Sequence, residues 1–185
     1  MTTTSTSTAA RCCRIYEAMG DVEEPPSAGS VELRHVMCRN LVCARPDLDI
    51  EAVIALMVDN HLGCIPVIDD QRRPIGVITK FDVVEQVHAF MRSEANGSPL
   101  PIDLAARTAE EVMMPLALTL HEAASVADAA MMMTEEDLHH VLVVSTTGIL
   151  LGVVSSKDIV TWVAHRHDKQ QIALNARGEQ PTHPA

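Results

Sequence analysis

Aromatic side chains are nearly missing from this sequence: two phenylalanines, one tyrosine and one tryptophan in 185 residues. Proteins that hold single-stranded nucleic acid commonly do so by stacking bases on aromatic rings, and that mode is closed here. Cationic charge is also short. Fourteen lysines and arginines stand against 25 aspartates and glutamates, a net charge of −11, whereas a nucleic-acid surface needs a basic stripe to displace counterions. No apolar run reaches the ~18 residues of a membrane span. The N-terminal MTTTSTSTAARCC lacks the apolar stretch of a signal peptide. A cytoplasmic protein is expected, with neither a nucleic-acid nor a membrane partner. The five cysteines, Cys12, Cys13, Cys38, Cys43 and Cys64, are odd in number and confined to the first half, poor material for a closed disulfide framework. No Cys-x-x-Cys pair is present, so no metal site is expected. There is also no Walker loop, no nucleophile–base pair and no pair of carboxylates in a shared strand-end context. Catalysis has no residues to stand on, and the chain is not expected to be an enzyme.

What is present is apolar and repeated. Apolar residues make up 47% of the chain, enough for a sizeable core, which must be aliphatic and methionine-rich. Set against itself with a shift of 76, the chain superposes without gaps: Val36-Met37 on Val112-Met113, Val67 on Val143, Gly76-Val77 on Gly152-Val153, Asp82 on Asp158 and Val84 on Val160. Such self-similarity marks a duplicated structural unit. Each unit holds an amphipathic helical pattern, Asp49–Asn60 or Ser125–Glu136, with Asp49 and Ser125 placed as N-caps. A short apolar run follows, Cys64–Ile68 or Val141–Val144, then a turn, a second run over Ile75–Thr79 or Leu150–Ser155, and a closing helix from Lys80 or Ser156. With a short strand at Leu41–Cys43 or Ala117–Thr119, each unit reads β-α-β-β-α. The division expected is a disordered arm over 1–30 (with a short helical piece near Ile15–Met19), units over 31–92 and 107–167, a linker over 93–106 built on the turn-forming SEANGSPLP, and a tail over 168–185.

The residues carry a family resemblance. A hydrophobic-Met pair opens each unit, HLGCIPVID contains a hydrophobic-Pro-Val-hydrophobic-Asp run, and GVITKFD and GVVSSKD share Gly-hydrophobic-x-(Ser/Thr)-x-x-Asp. Together they resemble two CBS domains over roughly 130 residues. The resemblance implies an α/β (α+β) fold in which two β-α-β-β-α motifs pack as a pseudo-two-fold pair. It also implies two clefts that commonly hold adenosine compounds: AMP, ADP, ATP, S-adenosylmethionine or dinucleotides. No obligatory cofactor is implied. Carried over residue by residue, the first cleft would combine Thr79, Phe81 and Asp82 with Leu118, His139 and His140. The second would combine Ser155, Lys157 and Asp158 with Val42, Gly63 and Cys64. His139 and His140 stand where other members place basic residues that reach phosphates; Gly63 and Cys64 carry no charge. The second unit departs from the pattern at Leu142, where the first has Pro66.

The chemistry fits without the family. A hydroxyl and backbone N–H groups at a strand-to-helix junction favour a phosphate, and an aspartate three residues on can accept two ribose hydroxyls. The same Ser/Thr-x-x-Asp spacing is also a helix-capping arrangement, and the two readings are compatible. Met131–Met133 fits core filling better than a soft-metal site. His139 and His140, adjacent near a strand, point to opposite faces and make a poor metal pair. His165 and His167 suit a helix C-terminus. The function expected is a regulatory sensor of an adenosine compound that reports to an unknown partner protein. The alternative is a ligand-independent or redox-responsive adaptor switched by its cysteines. A homodimer is expected, with Val53, Met57, Val84 and Val160 at or near its interface.

Overall fold

The computed structural model describes residues 27–95, 107–115 and 118–177; the piece near Ile15–Met19 and the cysteines Cys12 and Cys13 lie outside them. After a single 3₁₀ turn at Leu33–His35 come α1 (Ile50–Asp59), β1 (Cys64–Ile68), β2 (Pro74–Thr79), α2 (Lys80–Ala95), α3 (Ala109–Val112), β3 (Met114–Pro115), β4 (Thr119–His121), α4 (Val126–Glu135), β5 (His140–Val144), β6 (Leu150–Ser155) and α5 (Ser156–Arg177). The 76-residue offset holds for the starts of α1 and α4, β1 and β5, β2 and β6, and α2 and α5. It reaches the backbone: His61 and its mate Asp137 both leave a helix in the left-handed region, at φ 54° and 53°, the geometry of a helix C-terminal turn. In the β-hairpin turns, Gly148 at φ 80° is matched by Arg72 at 61°, a conformation that glycine takes freely and arginine does not.

Two sheets form, in orders β1-β2-β3 and β4-β5-β6. The hairpins β1–β2 and β5–β6 have equivalent registers: Cys64 faces Thr79 as His140 faces Ser155, and Pro66 faces Val77 as Leu142 faces Val153. The Pro66/Leu142 difference therefore leaves the hairpin unchanged. On one face of each sheet the alternate residues are sealed in a core. Ile65 and Val67 join Ile50, Val53 and Met57 of α1, while Val141 and Val143 join Val126, Ala129 and Met133 of α4. Successive side chains of a strand point to opposite faces, so Cys64, Pro66 and Leu142 lie on the other face, and they are buried too. A backbone bond joins the two units, the Leu150 N–H donating to the Arg72 carbonyl at 3.0 Å.

The opening segments are exchanged. Leu33 and Met37, which precede the first unit's helix, are buried in the core of the second unit, and Cys38 pairs with Val153 through reciprocal hydrogen bonds of 2.9 and 3.1 Å. Conversely, Ala109 and Val112 belong to the first unit's core, and β3 closes the first unit's sheet against Gly76 and Val77. The repeated glycines make room for this. A Cβ on Gly152 would lie 2.5 Å from Met37 Sδ, and one on Gly76 2.3 Å from Met113 Sδ and 2.9 Å from the Met114 carbonyl. The hydrophobic-Met pair that opens each unit in sequence thus completes the other unit in space.

Several expectations need correction. No strand forms at Leu41–Cys43; Ala44 alone makes a parallel bridge to Val67, and the second unit's strand lies at Thr119–His121 instead. Helix α2 extends through Ala95, into the expected linker, and α5 runs to Arg177, past residue 168, so His165 and His167 are not at a helix end. Val53 and Met57 are sealed in the core at 0% and 3% exposure and cannot line a dimer interface, whereas Val84 and Val160 are 62% and 66% exposed. Of the methionine run, Met133 is buried, Met132 is partly so and Met131 faces outward. Among the described residues no helix is long and apolar enough to cross a membrane.

Candidate functional site

Each second strand ends at a hydroxyl residue and the helix begins at the next. The Thr79 N–H and hydroxyl donate to Asp82 Oδ2 at 2.6 and 2.7 Å, and the Asp82 N–H donates back to Thr79 Oγ1 at 3.3 Å. The second unit repeats the knot: the Ser155 N–H and hydroxyl reach Asp158 Oδ2 at 2.8 and 2.6 Å, and the Asp158 N–H reaches Ser155 Oγ at 3.2 Å. This is a reciprocal helix cap, in which each side chain satisfies a backbone N–H that the first helical turn leaves without a partner.

Capping alone does not distinguish these two positions. At the start of α4, Ser125 and Asp128 form the same knot with bonds of 2.8, 2.8 and 3.1 Å, and Thr108 and Glu111 cap α3 likewise. The bonds from Ser125 hold the Asp128 carboxyl below the usual carboxylate range. By contrast Asp49, expected to cap α1, does so by position only and makes no side-chain cap bond. The distinction of Asp82 and Asp158 lies in where the caps stand, at equivalent strand-to-helix junctions beside the seam between the units. Both carboxylates are half-buried. Both commit Oδ2 to the cap and keep Oδ1 clear of hydrogen bonds among the described residues. The hydroxyl protons of Thr79 and Ser155 are committed to that same Oδ2 and are not available to a phosphate.

The strand starts are tied to the helix starts. The Lys80 N–H donates to the Gly63 carbonyl at 3.2 Å, and its mate, the Ser156 N–H, to the His139 carbonyl at 2.9 Å. Of the first-turn amides, those of Phe81 and Lys157 have no bond outside their helices among the described residues. The His140 ring crosses the seam and lies on Gly63: a Cβ at Gly63 would sit 2.6 Å from its Nε2 and 2.8 Å from Cε1. The resemblance assigns these two residues to opposite clefts, and the structure places them in contact. Burial chiefly, and then the neighbouring His139, hold the imidazole below the usual histidine range; Asp158 pulls the other way and Lys80 adds to the depression.

The remaining candidates are scattered around this centre. Phe81 projects into solvent at 75% exposure and Leu118 at 41%; the Leu118 carbonyl accepts from the Leu142 N–H at 3.4 Å. His139 and Lys157 are exposed, and Val42 is half-buried beside the Ala44 bridge. Cys64 is buried, and burial, with Cys43 nearby, pushes its thiol up to about 12. Cys43 is raised by burial against the opposing pull of the Arg72 guanidinium. Sequence reasoning passed over Arg72; its signal was the pairing with Gly148, which marks a backbone position that calls for glycine.

A family model, the CBS domain, matches this chain twice, over residues 33–89 and 109–165. The chain belongs to the CBS domain family. An uncharacterized protein of Methanocaldococcus jannaschii is 27% identical over 167 residues, 88% of this chain and 39% of that protein, so this CBS pair spans about two fifths of that relative's length. Among solved structures, CBSX2 of Arabidopsis thaliana, crystallised in complex with AMP, is 19% identical with a TM-score of 0.61, covering 73% of this chain and 97% of that one. A second CBS domain pair, crystallised with 5′-methylthioadenosine and S-adenosyl-L-methionine, is 20% identical with a TM-score of 0.59, covering 74% and 98%. At these identities the two likenesses establish the fold of a CBS pair.

Proposed function

We propose that this CBS pair is a non-catalytic regulatory module that binds an adenosine compound at the seam between its units and transmits occupancy to a partner protein. The observation that carries the reading is the pair of half-buried aspartates, Asp82 and Asp158, each with one oxygen fixed in a helix cap and the other unengaged. A cap holds a carboxylate rigidly, and a rigid acceptor loses little entropy when a ribose hydroxyl meets it. The Phe81 and Lys157 amides in the same first turns are donors suited to a phosphate. Two CBS pairs of the same fold were crystallised with adenosine compounds, AMP in one and 5′-methylthioadenosine with S-adenosyl-L-methionine in the other, and these are the ligands to test first. Self-association through the exposed Val84 and Val160 of α2 and α5 belongs to the same reading, since a second copy is one recipient of the signal.

Thermal unfolding with AMP, ATP, S-adenosyl-L-methionine and 5′-methylthioadenosine tests it. A ligand present at 100 times its Kd adds about 2.7 kcal/mol of stability. Asp82→Ala is expected to weaken binding by roughly 10- to 150-fold, the equivalent of about 1.5–3 kcal/mol for a hydrogen bond to a charged group. Asp128→Ala is the control: it removes an equivalent but exposed cap at the start of α4, with a similar loss of stability and no loss of affinity. Absence of any shift with all four compounds would refute the reading.

A further inference from the structure

We propose that His140 couples the two clefts, acting as a single hydrogen-bond donor for which anionic ligands on the two sides of the seam compete. The inference rests on the nucleotide-binding reading above and adds a regulatory property to it. His140 heads β5 directly opposite Ser155, so its backbone belongs to the second unit's site. Its ring lies against Gly63, whose carbonyl is fastened to the first turn of α2 by the Lys80 N–H. The ring therefore touches a residue fastened to the start of α2, while its neighbour His139 is fastened to the start of α5. Charges from both sides reach it: Asp158 of the second site and Lys80 of the first shift its protonation in opposite senses, alongside its neighbour His139.

The repeat does not duplicate this device. The mate of His140 is Cys64, a buried thiol held protonated, and the mate of Gly63 is the exposed His139. One ring therefore serves a seam with two nearly symmetric sides. Of the two ring nitrogens it is Nε2 that lies nearest Gly63, so one nitrogen is placed to serve the seam as a donor, and that donor can meet one phosphate. Once committed to the first ligand it is lost to the second, and an effect of one ligand on another's affinity must be reciprocal. The result is negative coupling between clefts, confined to anionic ligands.

Calorimetric titration of the full chain with AMP and with adenosine tests this. Asp82→Ala and Asp158→Ala each disable one cleft and give the affinity of the other with its neighbour empty. In the wild type the second AMP is expected to bind about tenfold more weakly than that single-cleft value, within the usual range of coupling between sites, whereas adenosine is expected to show a ratio near one. His140→Leu keeps an apolar side chain of similar size on Gly63 without the donor. Gly63→Ala keeps the imidazole but pushes it off its seat. Either is expected to bring the AMP ratio to about one; if one variant does not fold, the other and the wild-type comparison of AMP with adenosine still decide. An AMP ratio near one in the wild type, an equal ratio for adenosine, or coupling that survives in the variants overturns the proposal while leaving nucleotide binding intact. Failure of both compounds to bind removes the nucleotide reading, and the coupling with it.

Discussion

Replacing Met37 by alanine would show which unit the opening segment serves. Met37 is fully buried, among Val126, Ala129, Met133, Val141 and Trp162 of the second unit, and its sulfur fills the space that Gly152 leaves. Truncating a buried methionine to alanine costs about 2–5 kcal/mol, the loss of transfer energy plus an unfilled cavity. The upper half of that range is expected here, because the lining includes strand backbone that cannot relax inward without breaking the β5–β6 ladder. For a denaturant slope of about 1–3 kcal/mol per M in urea, the midpoint falls by roughly 1–5 M. Location is the sharper readout. Native-state hydrogen exchange should show faster opening of α4, β5 and β6, far downstream in the chain, while the α1 and β1 amides respond only through global unfolding. Gly152→Met, with Met37→Ala in the same chain, tests the filling from the other side and should recover part of the loss. If the loosened amides lie in α1 and β1 instead, the segment belongs to the first unit and the exchange described here is wrong.

Two further predictions concern single groups. The His140 pKa is depressed in the folded state, so between that value and the unfolded value of about 6.5 the unfolded chain holds a proton that the native chain does not. Its contribution is therefore present in full above about pH 6.5 and is lost progressively as the pH falls from there through the lower folded value. On acidification from pH 7 to 5 the wild type should lose urea stability relative to His140→Leu, with no relative change from pH 7 to 8; a difference independent of pH would contradict the burial of that ring. Cys64, with its thiol near 12, should be alkylated at pH 8 roughly a thousandfold more slowly in the native protein than in urea, since only the thiolate reacts. Comparable rates, read by peptide mass spectrometry, would reopen a role for this cysteine as a switch.

Much of the fold was legible because the repeat supplied two noisy copies of one pattern. A five-residue apolar run such as Cys64–Ile68 is ambiguous between strand and buried helix on its own; found again at the same distance from an amphipathic helix, it reads as a strand in both places. The continuation of α5 to Arg177 is carried by Lys, Gln, Ala, Leu and Arg, all good helix formers, a signal that the polarity of the stretch conceals. The strand expected at Leu41–Cys43 failed because only Ala44 reaches the neighbouring strand before Arg45 and Pro46 turn the chain away. The exchanged openings could not have been read at all. A repeat reveals which segments are alike and is silent on which copy each one packs against. At the site, spacing identified Asp82 and Asp158, but the commitment of Oδ2 and of both hydroxyl protons to the cap is a matter of angles that no spacing encodes. The His140–Gly63 contact was hidden for the same reason, since it joins residues that the linear pattern sorts to opposite sides.

The exchange of opening segments bears on how such a chain could arise. A lone unit with this architecture lacks Met37 or Met113 in its own core and has an open position at its sheet edge. Two identical copies remove both defects at once by trading their first residues around a true symmetry axis. A tandem gene would then join a pair of molecules already interlocked, with residues 96–106 lying between the two units in sequence. Fusion also frees each position to change on one side only. Arg72 opposite Gly148, and a histidine–glycine contact found once rather than twice, are differences that an association of identical copies could not have held.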